Sequence, residues 1–211
     1  MKSKDRVSEF GEVFTSEREV NAMLNLVEAE TQRIDSKFLE PACGDGNFLI
    51  EVLNRKIKIV RERYAKNKLE YERYAFLSVS SIYGIDILFD NVLECRDRLA
   101  SFVEQSYLKE FKRINDRFIK SIRFVLSRNI LHGDALTLMQ TNSKNPIVFS
   151  EWCFVSGSKV KRTEYTLANL LAYQPFEGDS LFSDLGEEAF IPHPLRTFRV
   201  EHFLEICNEK L

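Results

Sequence analysis

Glu40, Asp86 and Asp134 each close a short apolar run, and of all the residues in this sequence they are the best typed and spaced for chemistry. Just after the first, Gly44 and Gly46 stand one residue apart and lead into an amphipathic stretch. Glycine lacks a Cβ, so it permits unusual φ/ψ and lets a ligand approach the backbone closely. An apolar strand, an acid, a glycine turn and a helix start form a unit that presents bare backbone N–H groups at the carboxyl edge of a parallel sheet. An acid ending the second strand accepts hydrogen bonds from the ribose hydroxyls of a nucleoside. That residue is Asp86, and Ile87 or Leu88 follows it to pack on the base. Asp134, after the third strand, can accept from an adenine amino group while a backbone N–H meets a ring nitrogen. Each acid alone has a structural reading as a cap or turn residue. Three of them at successive strand ends, beside one glycine turn, point to a single nucleoside pocket.

The elements that must hold these residues are legible from periodicity and capping. Ser16-Glu17-Arg18-Glu19 is a capping box, and Val20, Met23, Leu24 and Val27 follow at helical spacing. Phe38 and Leu39 begin the first strand. Residues 47–77 read as one long helix and residues 82–87 as the second strand. Residues 89–126 are helical, with a break expected near Gln105-Ser106. Residues 129–135 repeat the pattern of strand then acid, and Ile147-Val148-Phe149 is a fourth strand. This order implies an α/β fold with a mostly parallel sheet flanked by crossover helices. Residues 174–195, with Pro175, Gly178, Gly186, Pro192 and Pro194, read as irregular. Residues 197–211 read as a closing helix.

A chain of 211 residues with 44% hydrophobic and 29% charged residues suits one α/β domain with a sizeable core. No apolar run is long enough to span a bilayer, and no signal-peptide pattern is visible, so a cytoplasmic location without membrane contact is expected. Cys43, Cys95, Cys153 and Cys207 are widely spaced, which predicts buried reduced thiols and no metal site. A net charge of -2 lacks the basic footprint of a nucleic-acid binder, so any DNA contact must come from a local patch, or from another subunit or domain. Lys159, Lys161 and Arg162 are the best local phosphate contacts, with a solvated turn as the alternative. The basic residues of 55–68 alternate with acids and read as a solvated face.

Glu40-Pro41-Ala42-Cys43-Gly44-Asp45-Gly46-Asn47-Phe48-Leu49 closely resembles the cofactor signature of the N6-adenine DNA methyltransferases of restriction-modification systems. Glu40 and Asp45 are mild variants of that signature, which usually reads Asp-Pro-Ala-Cys-Gly-Ser-Gly-x-Phe-Leu. Gly11-Glu12-Val13-Phe14-Thr15 resembles the family's upstream motif, whose Phe-Thr pair lines the methionine end of S-adenosylmethionine. Tyr83-Gly84-Ile85-Asp86 and His132-Gly133-Asp134-Ala135 match its ribose and adenine motifs in order and spacing. The resemblance covers residues 11–136. It implies a Rossmann-like class I S-adenosylmethionine-dependent fold with an N-terminal helical segment and S-adenosyl-L-methionine as cofactor. It places Phe14, Thr15, Glu40, Pro41, Ala42, Gly44, Asp45, Gly46, Asn47, Phe48, Asp86, Ile87, Asp134 and Ala135 around that cofactor. It divides the chain into an N-terminal helical segment (1–35), a cofactor-binding domain (36–172) and an irregular segment with a C-terminal helix (173–211).

The resemblance stops where methyl transfer should occur. An exocyclic adenine amine is a poor nucleophile, and the family meets it with Asn/Asp-Pro-Pro-aromatic after the fourth strand, giving acceptors for the amine and a ring to stack on the flipped base. Here that place holds Phe149-Ser150-Glu151-Trp152-Cys153-Phe154, and Asn145-Pro146 is followed by Ile147. In one reading Glu151 accepts from the amine and Trp152 stacks on the base. In the other, residues 147–155 form one continuous strand and the site is inactive or borrowed. Glu151 is longer than Asp and the rigid diproline is missing, which favours the second. About sixty residues after Trp152 leave no room for both further strands and a recognition domain. That suggests a split subunit, a truncated chain or a degenerate paralogue. The expected function is therefore a DNA adenine methyltransferase-like protein. The rivals are a cofactor-binding subunit without turnover and an RNA or protein methyltransferase. A nicotinamide-dependent dehydrogenase is disfavoured by Leu49, which stands where a third glycine would fall.

Overall fold

The computed structural model describes residues 15–172 and 192–208. The chain enters through α1 (Glu17–Leu26) and a single turn, α2 (Glu28–Thr31). The capping box forms as expected: the Glu19 N–H donates to Ser16 Oγ at 3.4 Å, and the Ser16 N–H donates to Glu19 Oε2 at 3.0 Å. Then β1 (Phe38–Glu40), β2 (Ile82–Asp86) and β3 (Ile130–His132) build a parallel sheet in the order β1-β2-β3. The registers pair Phe38 with Ile82 and Asp86 with His132. All five residues of the middle strand β2 are buried, as a strand covered on both faces must be.

Each crossover holds two helices. The segment expected as one helix over 47–77 is α3 (Asn47–Tyr64) followed by α4 (Lys68–Ser80). The break comes at Asn67, whose side chain accepts from the Glu70 N–H at 3.2 Å and starts a fresh helix as an N-cap. The second crossover is α5 (Phe89–Phe111) and α6 (Asp116–Asn129). Its break falls at Lys112, in a left-handed conformation (φ 57°), and not at Gln105-Ser106. Ser106 is buried within α5.

The fourth strand corrects a sequence expectation. β4 (Val148–Ser156) does not join the parallel sheet; it pairs antiparallel with β5 (Lys159–Thr166) through the two-residue turn Gly157-Ser158. Gly157 has φ 53°, the positive value that lets such a turn match strand twist. The segment from Asp134 to Pro146 carries no helix to return the chain to the parallel sheet. It folds on itself, with the Asp134 N–H donating to Met139 O and the Ile147 N–H to Leu138 O, both at 2.9 Å. The hairpin then packs over the sheet: Tyr83 and Ile85 meet Ile147, Phe149 and Leu167 in a small apolar cluster. β5 leads into the short helix α7 (Leu167–Leu171).

The C-terminal segment also departs from expectation. In place of a closing helix, β6 (Arg196–Thr197) and β7 (Glu201–His202) add to β5, followed by a turn of 3₁₀ helix (Ile206–Asn208). Phe203 is fully buried there against Phe76 and Phe154. Of the segment expected to be irregular, residues 174–191 lie outside the described residues.

A lysine is enclosed in the main core. Lys56 of α3 is fully buried; its ammonium donates to Ser36 O and Ser81 Oγ and lies 5.1 Å from the centre of the Phe38 ring. Desolvation pushes its pKa down to about 7. Among the described residues, no helix is long and apolar enough to cross a membrane.

Candidate functional site: the carboxyl rim of the parallel sheet

The strand order puts the loops after β1, β2 and β3 at one rim, with Asp86 in the middle. After Glu40 the chain turns through Pro41–Gly46. The Cys43 N–H donates to Ile85 O at 2.8 Å, extending β1's pairing by one further bond. Gly44 (φ 53°) and Gly46 (φ 94°) both occupy backbone conformations that L side chains rarely adopt. A Cβ at Gly44 would point into open space, so the chain leaves room beside this Cα. A Cβ on Gly46 would lie 2.7 Å from Cys95 Sγ, so Gly46 is required by packing against α5. The two glycines therefore differ: one leaves an approach open, the other closes helix against helix.

Asp86 is only 8% exposed and ties the rim together. Its Oδ2 accepts from the Gly44 N–H at 2.8 Å. Its Oδ1 accepts from the Leu88 N–H at 2.8 Å, an Asx turn that leads the chain into α5, and from Asn91 Nδ2 at 3.3 Å. The Gly133 N–H donates to Asp86 O at 3.0 Å, which joins the loop after β3 to the same residue. The ribose reading and the cap reading of Asp86 thus fall on one carboxylate. About four lone-pair directions are available to it, and the protein uses three of them.

Asp134 lies half-buried at the rim's far side, with Oδ1 accepting from the Leu136 N–H at 2.9 Å in an Asx turn. Ala135 packs against the Ile147 cluster. Ile87 is 46% exposed, an apolar side chain left open beside Asp86. Glu40 is half-buried, and burial raises its pKa against a weaker lowering by the Ala42 N–H. Pro41 and Ala42 are exposed, and Phe48 packs on the core behind the loop. Thr15 is exposed just before α1, which packs on α3. Phe14 lies outside the described residues.

Sequence reasoning missed Arg98. From α5 it reaches back to the glycine turn: its guanidinium is 2.7 Å from Asp45 Oδ2, donates to Asp45 O at 2.8 Å, and donates to Asn47 Oδ1 at 3.0 Å. It holds the turn from outside, and only the fold brings position 98 to position 45. Sequence spacing also hid the contact of Cys43 with Cys95. Both are buried, and the Cys95 neighbour and desolvation raise the Cys43 thiol's pKa, so this thiol stays protonated. Cys153 is exposed and Cys207 half-buried, which corrects the expectation that all four thiols are enclosed.

The expected catalytic pair does not converge. Glu151 and Trp152 are neighbours on the continuous strand β4, so their side chains leave opposite faces. Trp152 is 5% exposed, edge-on to Phe76 and Phe124, and its Nε1–H donates to Asn129 Oδ1 at 3.3 Å. It is a core residue. Glu151 pairs with Lys37 and faces an apolar cavity of about 480 Å³ with Tyr83, Phe149 and Tyr165. Of the expected phosphate contacts, Lys159 is exposed and Lys161 half-buried, but Arg162 is 4% exposed. Its guanidinium stacks on Phe198 at 3.5 Å and pairs with Glu164 at 3.6 Å, which withdraws it from any surface patch.

No family model, curated protein or solved structure matches this chain. Among the described residues, no group of His, Cys, Asp or Glu could hold a metal ion.

Proposed function

We propose that the chain binds S-adenosylmethionine at this rim and belongs to the N6-adenine DNA methylation lineage, with a class I methyltransferase arrangement of β1, β2 and β3. The observation that carries the reading is the meeting of the glycine turn and the β3 loop on Asp86, by bonds of 2.8 and 3.0 Å. The residues fit such a ligand in three respects. Space is open beside the Gly44 Cα, Asp86 retains a lone pair for a ribose hydroxyl, and Ile87 offers an apolar face beside it. Asp134 stands across the rim to accept from the adenine amine. The cofactor's sulfonium supplies an activated methyl group. The chain's own contribution is to orient the nucleoside and to hold the turn rigid through Arg98.

The buried Trp152 and the Glu151–Lys37 pair favour a particular form of this reading, in which the acceptor side of the reaction is completed by another chain or domain. Calorimetry with S-adenosylhomocysteine tests the first statement: binding is expected, and its absence in folded protein would overturn it. A tritiated-methyl assay on unmethylated genomic DNA tests the second. The chain alone is expected to leave the DNA unlabelled, and label that disappears in Glu151→Ala would show a complete active site on this chain.

A further inference from the structure

A second cavity, of about 410 Å³, lies between the outer side of β3, the ends of α5 and α6, and the hairpin. Its charge is unusual for a chain of net charge -2. Arg96 and Arg128 both line it, and neither has a carboxylate partner among the described residues. Arg96 is fixed by backbone carbonyls, with Nε donating to Ile130 O at 2.9 Å and Nη2 to Ser127 O at 3.1 Å. That leaves Nη1 without a hydrogen bond to the described residues. Arg128 lies over the Phe124 ring at 5.2 Å, and its Nε is enclosed without an acceptor. Two arginines line one cavity, and both have terminal N–H groups that no described residue answers, which suits an oxyanion. Among the described lining residues the one acid, Glu164, is already paired with Arg162 at 3.6 Å.

The remaining lining suits what would be attached to that oxyanion. Phe89 is 51% exposed and its ring lies 5.4 Å from that of His132. His132 Nε2 is 3.0 Å from Ile87 O. A carbonyl only accepts, so Nε2 carries a hydrogen. Gln140 is exposed at the mouth and donates to Pro146 O at 3.1 Å. The Phe89 and His132 rings are tilted by 52°, so it is the exposed Phe89 face, beside a pair of arginines, that matches a base and its phosphate.

We propose that this cavity binds the phosphate of a nucleotide, free or within a nucleic-acid strand, with Arg96 and Arg128 as anchors and the exposed ring of Phe89 against the base. S-adenosylmethionine carries no phosphate, so the inference stands apart from the cofactor reading and can fail separately from it.

The test is calorimetry on the full chain with the four deoxynucleoside 5′-monophosphates, the matching nucleosides and inorganic phosphate. Fluorescence anisotropy with a labelled single-stranded deoxy-oligonucleotide runs alongside. At least one monophosphate should bind roughly tenfold or more tightly than its nucleoside, with inorganic phosphate competing. Arg128→Gln should lose that preference. Gln140→Glu, an exposed position that cannot unfold the core, should weaken phosphate binding by placing a carboxylate at the mouth. A tighter oligonucleotide than monophosphate identifies a strand as the source; the reverse identifies a free nucleotide; both support the site. No monophosphate binding more tightly than its nucleoside would overturn it. So would an unchanged phosphate affinity in folded Gln140→Glu.

Discussion

Replacing Asp86 by Asn separates its two roles. The substitution keeps the shape and removes the charge from a residue only 8% exposed. The amide oxygen can still accept from Leu88 N–H and Asn91, at 2.8 and 3.3 Å in the parent, but as neutral bonds about half as strong. The amide nitrogen then faces the Gly44 N–H, donor against donor, where the parent has a 2.8 Å bond. An unsatisfied buried donor costs about 1–3 kcal/mol, so the total loss should be about 2–4 kcal/mol. Natural domains have about 5–15 kcal/mol to lose, so the variant should fold. Urea unfolding at neutral pH measures this first effect. Calorimetry with S-adenosylhomocysteine measures the second. Loss of a charged acceptor for ribose, worth roughly 1.5–3 kcal/mol, should weaken binding about 10- to 100-fold in protein that is still folded. A folded Asp86→Asn protein with parental affinity would refute the placement of the ribose, whatever its stability. Parental stability would refute the stabilising role of the Asp86 bonds to Gly44, Leu88 and Asn91.

Other perturbations probe the scaffold. Lys56 has a folded pKa of about 7 against an ordinary value of 10.5, so between those pH values the unfolded chain binds more protons and stability rises with pH. The burial penalty is fully present below pH 7 and gone above 10.5. In Lys56→Met that rise, at most about 4–5 kcal/mol, should vanish, and urea midpoints from pH 6 to 10 would show parallel curves for the two proteins if the argument is wrong. Trp152→Phe strands Asn129 Oδ1 in the core and should cost about 2–4 kcal/mol with cofactor affinity unchanged. A fully stable variant would reopen the base-stacking role. Gly46→Ala drives a methyl to 2.7 Å from Cys95 Sγ, and Cys95→Ala should recover part of the loss. A double-mutant cycle on unfolding free energies should return a coupling of at least about 0.5 kcal/mol, and simple additivity would show that backbone strain alone is responsible.

Local signals carried the sequence reading a long way. The capping box at Ser16, the three strands and the placement of Asp86 and Asp134 at one rim depend on short-range patterns, and a parallel order of strands follows from the crossovers between them. The break at Asn67 had a local sign, an N-cap residue three before Glu70, hidden by the charged run around it. The hairpin had one too: Gly157-Ser158 between two alternating runs is a turn signal, overshadowed by the expectation of a fourth parallel strand. Thr197 and His202 gave no such sign, because two-residue strands exist only by virtue of the β5 edge they meet.

What the amino-acid order determined unaided was the set of groups at the rim, since strand, glycine turn and acid are neighbours along the chain. Only tertiary structure decided how those groups are used. It set Arg98 on Asp45, Cys95 under Gly46, and the Gly44 N–H on Asp86, contacts spanning 42 to 53 positions. It also turned Trp152 inward and Glu151 outward, because alternate residues of a strand leave on opposite faces and only the packed helices of the core say which face is which.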